Sequence, residues 1–345
     1  MRTLTKVLTV ILLALLGVTA VLGIVGLFLP DTARVERTII VNAPQATVFA
    51  LGNSFSRIHE WSPWHHIDPD AEWVIDGPAM GVGARMTWSS DNPRLGTGSE
   101  EITVSDPFSL VTTAFDFGEE GLAESTIALE AVDNGTRVTW SLQTDLGKNI
   151  VGRYYGLMFD GMMGPYFEQG LAGLKSVAEG LPSEDWSGLT IGIHDLDPIL
   201  IAVTSGQASA DHEAIGQALG SAFGAVTAFM KKNRLEAAGM PLAITKSWDD
   251  SEGWSFFAGI PVAAAPATPP GPAAPVRIGE TPGGRTVVAE HVGPYADLSS
   301  TYAKAHAFRV AYGLDQAGPE WEQFVSDPGQ TPESELITRV YIPIR

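Results

Sequence analysis

The chain has 345 residues, enough for two globular domains of about 150 residues each. Its formal net charge of −19 argues against nucleic-acid binding, which requires a basic surface, but an acidic chain would suit cationic ligands. The absence of cysteine excludes disulfides and thiolate sites, and the seven histidines show no metal-ligand spacing. The sequence therefore predicts no metal site, no cofactor and no nucleic-acid partner.

The N-terminus carries an uncharged apolar run at residues 7–29. As a helix, this run is long enough to span a hydrocarbon core of about 30 Å. Arg2 and Lys6 precede the run and acidic residues follow it, which places the N-terminus in the cytoplasm and the rest of the chain across the membrane, in the bacterial periplasm. Residues 1–33 are thus expected to be an uncleaved, single-pass transmembrane anchor. The alternative is a signal peptide, whose apolar core is usually shorter, at about 7–15 residues.

Strand-like runs alternate with turn signals from residue 34 to residue 182. A first strand and a short helix that Pro44 begins are followed by five strand-like segments: "GARMTWSS", "EEITVSDP", "LVTTAFDF", "ESTIALEAV" and "TRVTWSLQTD". In the closing segment, "PYFEQGLAGLKSVAEGL", apolar residues recur at spacings of three and four, as in an amphipathic helix. The pattern predicts a curved antiparallel sheet around one C-terminal helix, with a cavity between them.

Several motifs in this half carry a family resemblance: "VERTIIVNAPQATVFALGNSF", "EWSPWHHIDP", "GPAMGVGARMTW", "GTRVTWSL" and "FEQGLAGLKSVAE". They resemble the polyketide cyclase and START-like (SRPBCC) superfamily of helix-grip proteins. The resemblance implies a cavity for apolar small molecules or lipids, in a family of which only some members are enzymes. The candidate wall residues are Trp61, Trp64, Trp73, Trp88 and Trp140. Of these, Trp64 and Trp88 are the predicted ligand-binding residues. The alternative for each tryptophan is packing in the core or at the rim of the cavity. No acid/base pair for catalysis stands out.

A polar linker, "EGLPSEDWSG", separates this half from a second domain at residues 186–345. The second domain shows the same order of segments twice, at about residues 189–262 and 275–345, joined by a proline-rich linker. Each copy closes on a strand-like run that ends in Ile-Pro. Proline has no N–H to donate to a sheet, so it marks the end of a strand or a sheet edge. The sequence predicts a duplicated β-hairpin–helix–strand–strand unit, with a groove on the pseudo-twofold axis.

The segments "EHVGPYADLSSTYAKA", "WEQFVSDPGQTPESELITRVYIPI" and "GMPLAITKSWDD…FFAGIPV" closely resemble the GyrI-like family, also called the bacterial transcription-activator effector-binding domain. The resemblance implies an aromatic-lined cleft for amphipathic, often cationic molecules, with a buried acidic residue at Glu322. The alternative for Glu322 is a solvated strand position. The further candidate ligand-binding residues are Trp254, Phe256, Tyr295, Tyr302 and Trp321. Trp248 and Tyr341 are additional wall candidates, and strand alternation points Trp254 and Phe256 to one face.

The fold class is therefore α+β: a transmembrane helix, a helix-grip domain and a duplicated GyrI-like domain. The leading hypothesis is a membrane-anchored, non-catalytic protein that binds hydrophobic or cationic small molecules. The first alternative is a hydrolase of reactive small molecules with Glu322 as general base. The third hypothesis is a lipid-handling or stress-response scaffold. Direct transcription control is not expected, because no DNA-binding helix-turn-helix precedes the GyrI-like segment.

Overall fold

The structure is a computed structural model that describes residues 2–118, 121–249 and 251–345, with side chains from residue 6 onward. The chain divides into two compact units, Met1–Ser183 and Glu184–Arg345. Both units contain helices and one antiparallel sheet, so the α+β class is confirmed.

The first unit begins with the apolar helix α1 (Arg2–Leu27), whose side chains are almost all exposed. Its segment Lys6–Leu27 is long and apolar enough to cross a membrane, a property that a signal sequence shares. The end of α1 contacts helix α4 (Ile150–Glu179) of the same unit. Tyr154 donates a hydrogen bond to the Leu22 carbonyl at 2.7 Å, and Arg153 donates to the Leu27 carbonyl at 3.1 Å. The C-terminal end of α1 is thus fixed on the folded unit.

The rest of the first unit is a seven-stranded antiparallel sheet around α4. The short helices α2 (Gln45–Gly52) and α3 (Ile58–Trp61) follow the first strand in the chain and precede the second. The strands are β1 (Thr32–Val41), β2 (Glu72–Asp76), β3 (Arg85–Ser89), β4 (Thr97–Asp106), β5 (Leu110–Asp116), β6 (Leu122–Val132) and β7 (Gly135–Asp145), in the sheet order β1-β7-β6-β5-β4-β3-β2.

Helix α4 is longer than the sequence pattern predicts. The apolar spacing covers residues 165–181, but the helix begins at Ile150, where the Asn149 side chain accepts a hydrogen bond from the Gly152 N–H at 2.9 Å. The added turns contain four glycines, at positions 152, 156, 161 and 164, and Pro165 follows them; glycine and proline are poor helix formers, so the local signal is weak. The buried residues Phe167, Leu171 and Leu174 form the predicted stripe against the sheet.

The second unit contains the duplicated element order. The first copy has β8 (Thr190–Leu196), β9 (Leu200–Ala208), α5 (His212–Asn233), β10 (Leu242–Asp249) and β11 (Gly253–Pro261). The second copy has β12 (Arg277–Glu280), β13 (Gly284–Val292), α6 (Leu298–Ala311), β14 (Trp321–Phe324) and β15 (Ile337–Pro343). One sheet joins them in the order β12-β9-β11-β10-β14-β15-β13-β8.

The strand pairing differs from the predicted hairpins. β8 does not pair with β9; it pairs with β13 of the other copy, and β12 pairs with β9. The connectors 197–199 and 281–283 cross each other: the Thr281 N–H donates to the Ile199 carbonyl at 3.0 Å, and the Ile199 N–H donates to Thr281 Oγ1 at 2.9 Å. Each copy therefore supplies an edge strand to the other copy.

Gly206 of β9 lies directly opposite Phe256 of β11, and a Cβ atom at position 206 would overlap the Phe256 ring. We expect Gly206→Ala to lower the free energy of unfolding of the second unit by about 1–3 kcal/mol, the usual cost of overpacking. The matched control is Gly216→Ala on α5, where a Cβ meets open space. Removing a helical glycine should stabilise the unit by about 0.5–1 kcal/mol. Denaturant unfolding of both variants tests the contact, and equal effects would contradict it.

Candidate functional site

In the second unit, two helices pack on the sheet on either side of its two central strands. Helix α5 packs against β9 and β11, whereas α6 packs against β13 and β15. Strands β10 and β14, which pair with each other, form the middle of the sheet. Side chains on the helix-covered face of β10 and β14 therefore form the floor of a groove between α5 and α6.

Glu322 of β14 lies on this floor. Its side chain is on the same face as Ala243, its partner on β10, and only 6% of the residue is exposed. Tyr302 of α6 donates a hydrogen bond to Glu322 Oε2 at 3.3 Å. Among the described residues, no cationic side chain lies within ion-pair distance of this carboxyl group. Burial raises the pKa of Glu322 to about 7, against a smaller lowering effect of the Tyr302 hydrogen bond. The carboxyl group is thus buried without a counter-charge.

Aromatic rings from both sides of the groove surround this position. Phe324, two residues after Glu322 on the same face, contacts Tyr295 with a ring-centroid distance of 5.8 Å. On the other side it contacts Phe223 of α5 at 5.9 Å. Burial, and next the negative charge of Glu322, raise the pKa of Tyr295, and the same two causes raise the pKa of Tyr302. Tyr295 and Tyr302, both candidates from the sequence, are therefore close enough to Glu322 to sense its charge.

Trp254 and Phe256 lie on the same face of β11, as the alternation predicts, but neither opens into the groove. Phe256 is fully buried and Trp254 is 6% exposed, and both pack under α5. The Trp254 indole N–H donates to Thr245 Oγ1 at 3.1 Å. Both residues therefore belong to the core that supports the groove.

Trp321 does not share the face of Glu322, because adjacent strand residues point to opposite sides of the sheet. It stacks on Tyr341 with a centroid distance of 3.6 Å, in the core on the opposite face. The prediction that Trp321 and Tyr341 line the same cleft as the Glu322 carboxyl group is therefore wrong. Trp248 lies near the end of β10 and is 53% exposed.

The first unit holds a cavity of about 1130 Å³ between the sheet and α4. Trp64 and Trp88, the two sequence candidates of this half, both line it, and so do Trp73 and Trp140. Trp140 is also part of the core, since Trp61 contacts it edge-on and its indole N–H donates to Ser125 Oγ at 2.8 Å. The predicted cavity is therefore present, with aromatic rings on several walls.

Glu100 of β4 is a cavity residue that the sequence analysis did not single out. It lines the large cavity and a small adjoining pocket of about 20 Å³. Its side chain accepts a hydrogen bond from Thr113, but burial outweighs this bond and raises the pKa of Glu100 to about 7. A signal existed in "EEITVSDP": Glu100 has the same strand parity as Ile102, which is fully buried.

Comparison with protein families finds a match for each half. The model of the polyketide cyclase / dehydrase and lipid transport family matches residues 32–179. The model of the GyrI-like small molecule binding domain matches residues 190–345. No curated protein matches the chain.

Three solved structures illustrate the structural likeness. An uncharacterized conserved protein from Listeria innocua is 16% identical, with 45% of this chain and 92% of that chain covered, at a TM-score of 0.36. A hydrolase from Listeria innocua is 17% identical, with 45% and 91% covered, at a TM-score of 0.34. The EcmrR C-terminal domain is 13% identical, with 46% and 98% covered, at a TM-score of 0.40.

Each family match lies within one structural unit, and the two matches do not overlap. The first match ends at residue 179, the second begins at residue 190, and the units divide after Ser183. The chain therefore combines a domain similar to the polyketide cyclase / dehydrase and lipid transport family with a domain similar to the GyrI-like small molecule binding family.

Proposed function

We propose that the second unit binds lipophilic cations in the groove between α5 and α6, with Glu322 as the counter-charge. The observation that carries this proposal is a buried carboxyl group that has aromatic neighbours and no cationic partner among the described residues. A cation beside Glu322 would offset the cost of ionising a buried acid, and the rings add cation–π attraction. The acidic net charge of the chain favours the same class of ligand.

The test is titration calorimetry of the full-length protein with a quaternary ammonium compound and its tert-butyl isostere, which differ in charge and not in shape. The cation should bind more tightly, and mass spectrometry should recover it unchanged after binding. Absence of any preference for the cation would contradict the proposal.

Hydrolysis is the second candidate function, because a carboxyl group with a pKa of about 7 can serve as a general base at neutral pH. A probe with a reactive electrophilic group separates the two functions. A binding protein saturates and returns this probe unchanged, whereas a hydrolase consumes it in repeated turnovers, and Glu322→Gln would then bind the probe without converting it.

We also propose that α1 anchors the protein in a membrane, with both units on the outer side. The start of α4 supports contact with a membrane. Val151, Tyr155, Met158 and Met162 are each more than half exposed and recur at spacings of four and three, so they form one apolar stripe. This stripe lies on the part of α4 that contacts the end of α1. An apolar stripe at this position suits the interface region of a bilayer.

A fluorophore at position 158 is expected to contact lipid when the full-length protein is reconstituted in vesicles. Because the chain has no cysteine, Met158→Cys gives a single labelling site. Bromine atoms on the lipid acyl chains should quench this label. The control is Asp133→Cys, in the exposed turn between β6 and β7. This turn is at the opposite end of β7 from the start of α4, and β7 itself is roughly 33 Å long.

Equal quenching of the two labels, or quenching of neither, would contradict the position of the stripe at the lipid surface. N-terminal sequencing of the membrane fraction checks the anchor separately. Residues 1–30 should be intact, whereas a mature chain that begins near Asp31 would show that α1 is a cleaved signal peptide.

A further inference from the structure

The first unit contains a half-buried acid, Glu100, for which neither the fold nor the family match gives a role. Glu100 lies where the large cavity and the small inner pocket meet. Its neighbours on the cavity walls are mostly apolar or aromatic, and they include Trp64, Trp88, Phe115 and Trp140. A carboxyl group in such surroundings is costly to keep, since it loses much of its hydration.

The hydrogen bonding of Glu100 is incomplete. A carboxylate can accept about four hydrogen bonds, and Thr113 of β5 supplies one donor. Among the described residues, no lysine, arginine or histidine forms an ion pair with it. The carboxyl group therefore retains acceptor capacity directed at the inner end of the cavity.

The charged residues that line the cavity are elsewhere on its walls. They are Glu72, Arg85, Arg94 and Asp116, two of each sign, so they give the cavity no net charge apart from Glu100. Arg85 donates to Ser99 Oγ at 3.3 Å, which occupies part of its guanidinium group. His65 stacks on the cavity residue Trp73, and burial lowers the pKa of His65 to about 4, so its ring is neutral at pH 7.

We propose that this cavity is a second ligand site, which takes an apolar molecule carrying one protonated amine, and that Glu100 binds the amine. The N–H groups of the amine supply the missing donors, while its positive charge offsets the cost of ionising an acid that has lost part of its hydration. The aromatic walls then enclose the apolar body of the ligand. This site is independent of the Glu322 groove, because it uses residues of the first unit alone.

The test uses the full-length Glu322→Gln variant, so that the groove of the second unit cannot contribute a counter-charge. The probes are 6-(2-naphthyl)hexylamine and the alcohol with the same carbon skeleton. The amine should bind with a stoichiometry of one, and calorimetry in two buffers of different ionisation enthalpy should show proton release near pH 7. Adding Glu100→Gln should weaken the amine by roughly tenfold or more, leave the alcohol nearly unchanged and abolish the proton release.

Glu101→Gln is the matched control, since Glu101 is the next residue of β4 and points to the other face of the sheet. It should change neither affinity. Loss of all amine binding in the Glu322→Gln background would overturn the proposal and would leave the groove as the amine site. Equal losses of amine and alcohol in Glu100→Gln would also overturn it, by showing that Glu100 acts on the shape of the cavity. If the groove does not bind cations, the result for Glu100 is unaffected.

Discussion

Glu322→Gln is expected to weaken a quaternary ammonium ligand of the second unit by roughly 1–3 kcal/mol and to leave its tert-butyl isostere nearly unchanged. Glutamine keeps the size of the side chain and its hydrogen-bonding reach to Tyr302, but it removes the charge. Titration calorimetry of the wild-type and variant proteins with both ligands measures the difference. Equal losses for the two ligands would assign Glu322 a structural role.

The same substitution is expected to stabilise the second unit at high pH. The pKa of Glu322 is raised by burial to about 7, from an ordinary value of 4.5. Between these two pH values the folded state binds more protons than the unfolded state, so stability falls as the pH rises through this interval. At pH 8 the variant should therefore be more stable by on the order of 3 kcal/mol, and at pH 4 the difference should vanish.

Ligand binding should show the opposite dependence on pH. A cation favours the ionised form of Glu322, so its affinity should rise from pH 5 to about pH 7 and then level off. Other titratable groups near the carboxyl group are Tyr295 and Tyr302, whose pKa values are raised, and Glu320. Burial alone would raise the pKa of Glu320, but its hydrogen bond and charge interaction with His306 keep the pKa below the ordinary value. An affinity that is constant from pH 5 to 8 would contradict a role for the Glu322 charge.

Trp186→Ala is expected to lower the free energy of unfolding of the second unit by about 3–5 kcal/mol. Trp186 precedes β8 and is 1% exposed, and its ring contacts Phe308 of α6 at a centroid distance of 6.0 Å. Its removal leaves a cavity beside α6, at a cost comparable to a large part of the stability of a typical domain. Denaturant unfolding followed by circular dichroism measures this loss.

The control is Trp248→Ala, because Trp248 is 53% exposed and its truncation leaves no buried cavity. We expect a change below about 1 kcal/mol for this variant. Similar losses for the two tryptophans would show that Trp186 does not belong to the folding core of the second unit.

The sequence predicted the features that depend on periodicity and failed where long-range contacts decide. Alternation correctly placed Trp254 and Phe256 on one face, but it gave no measure of burial, so the cover that α5 provides was missed. Trp186 stands in a segment whose composition is that of a polar linker, and only the contact with Phe308 reveals it as core. Glu100 was missed for the reverse reason, since a single acid in a strand is more often solvated.

The exchange of edge strands could not be read from the sequence either. A three-residue connector between two strands has the same local pattern whether the strands pair with each other or with distant partners. The element order of each copy was predicted correctly, because it depends on local signals alone. The partner of β8 is decided by the crossing of the connectors 197–199 and 281–283, which involves residues more than 80 positions apart.

This exchange also has a consequence for how the second unit folds. The partners in the β8–β13 ladder are separated by 88 residues, from 196 to 284, up to 100 residues, from 190 to 290. Closing so long a loop is slow, and contacts of this kind lower the folding rate. During synthesis from the N-terminus, β8 has no partner until β13 has been made, and the first copy exposes unpaired strand edges in the meantime. The second unit is therefore most prone to aggregation in the interval between the synthesis of β8 and the synthesis of β13.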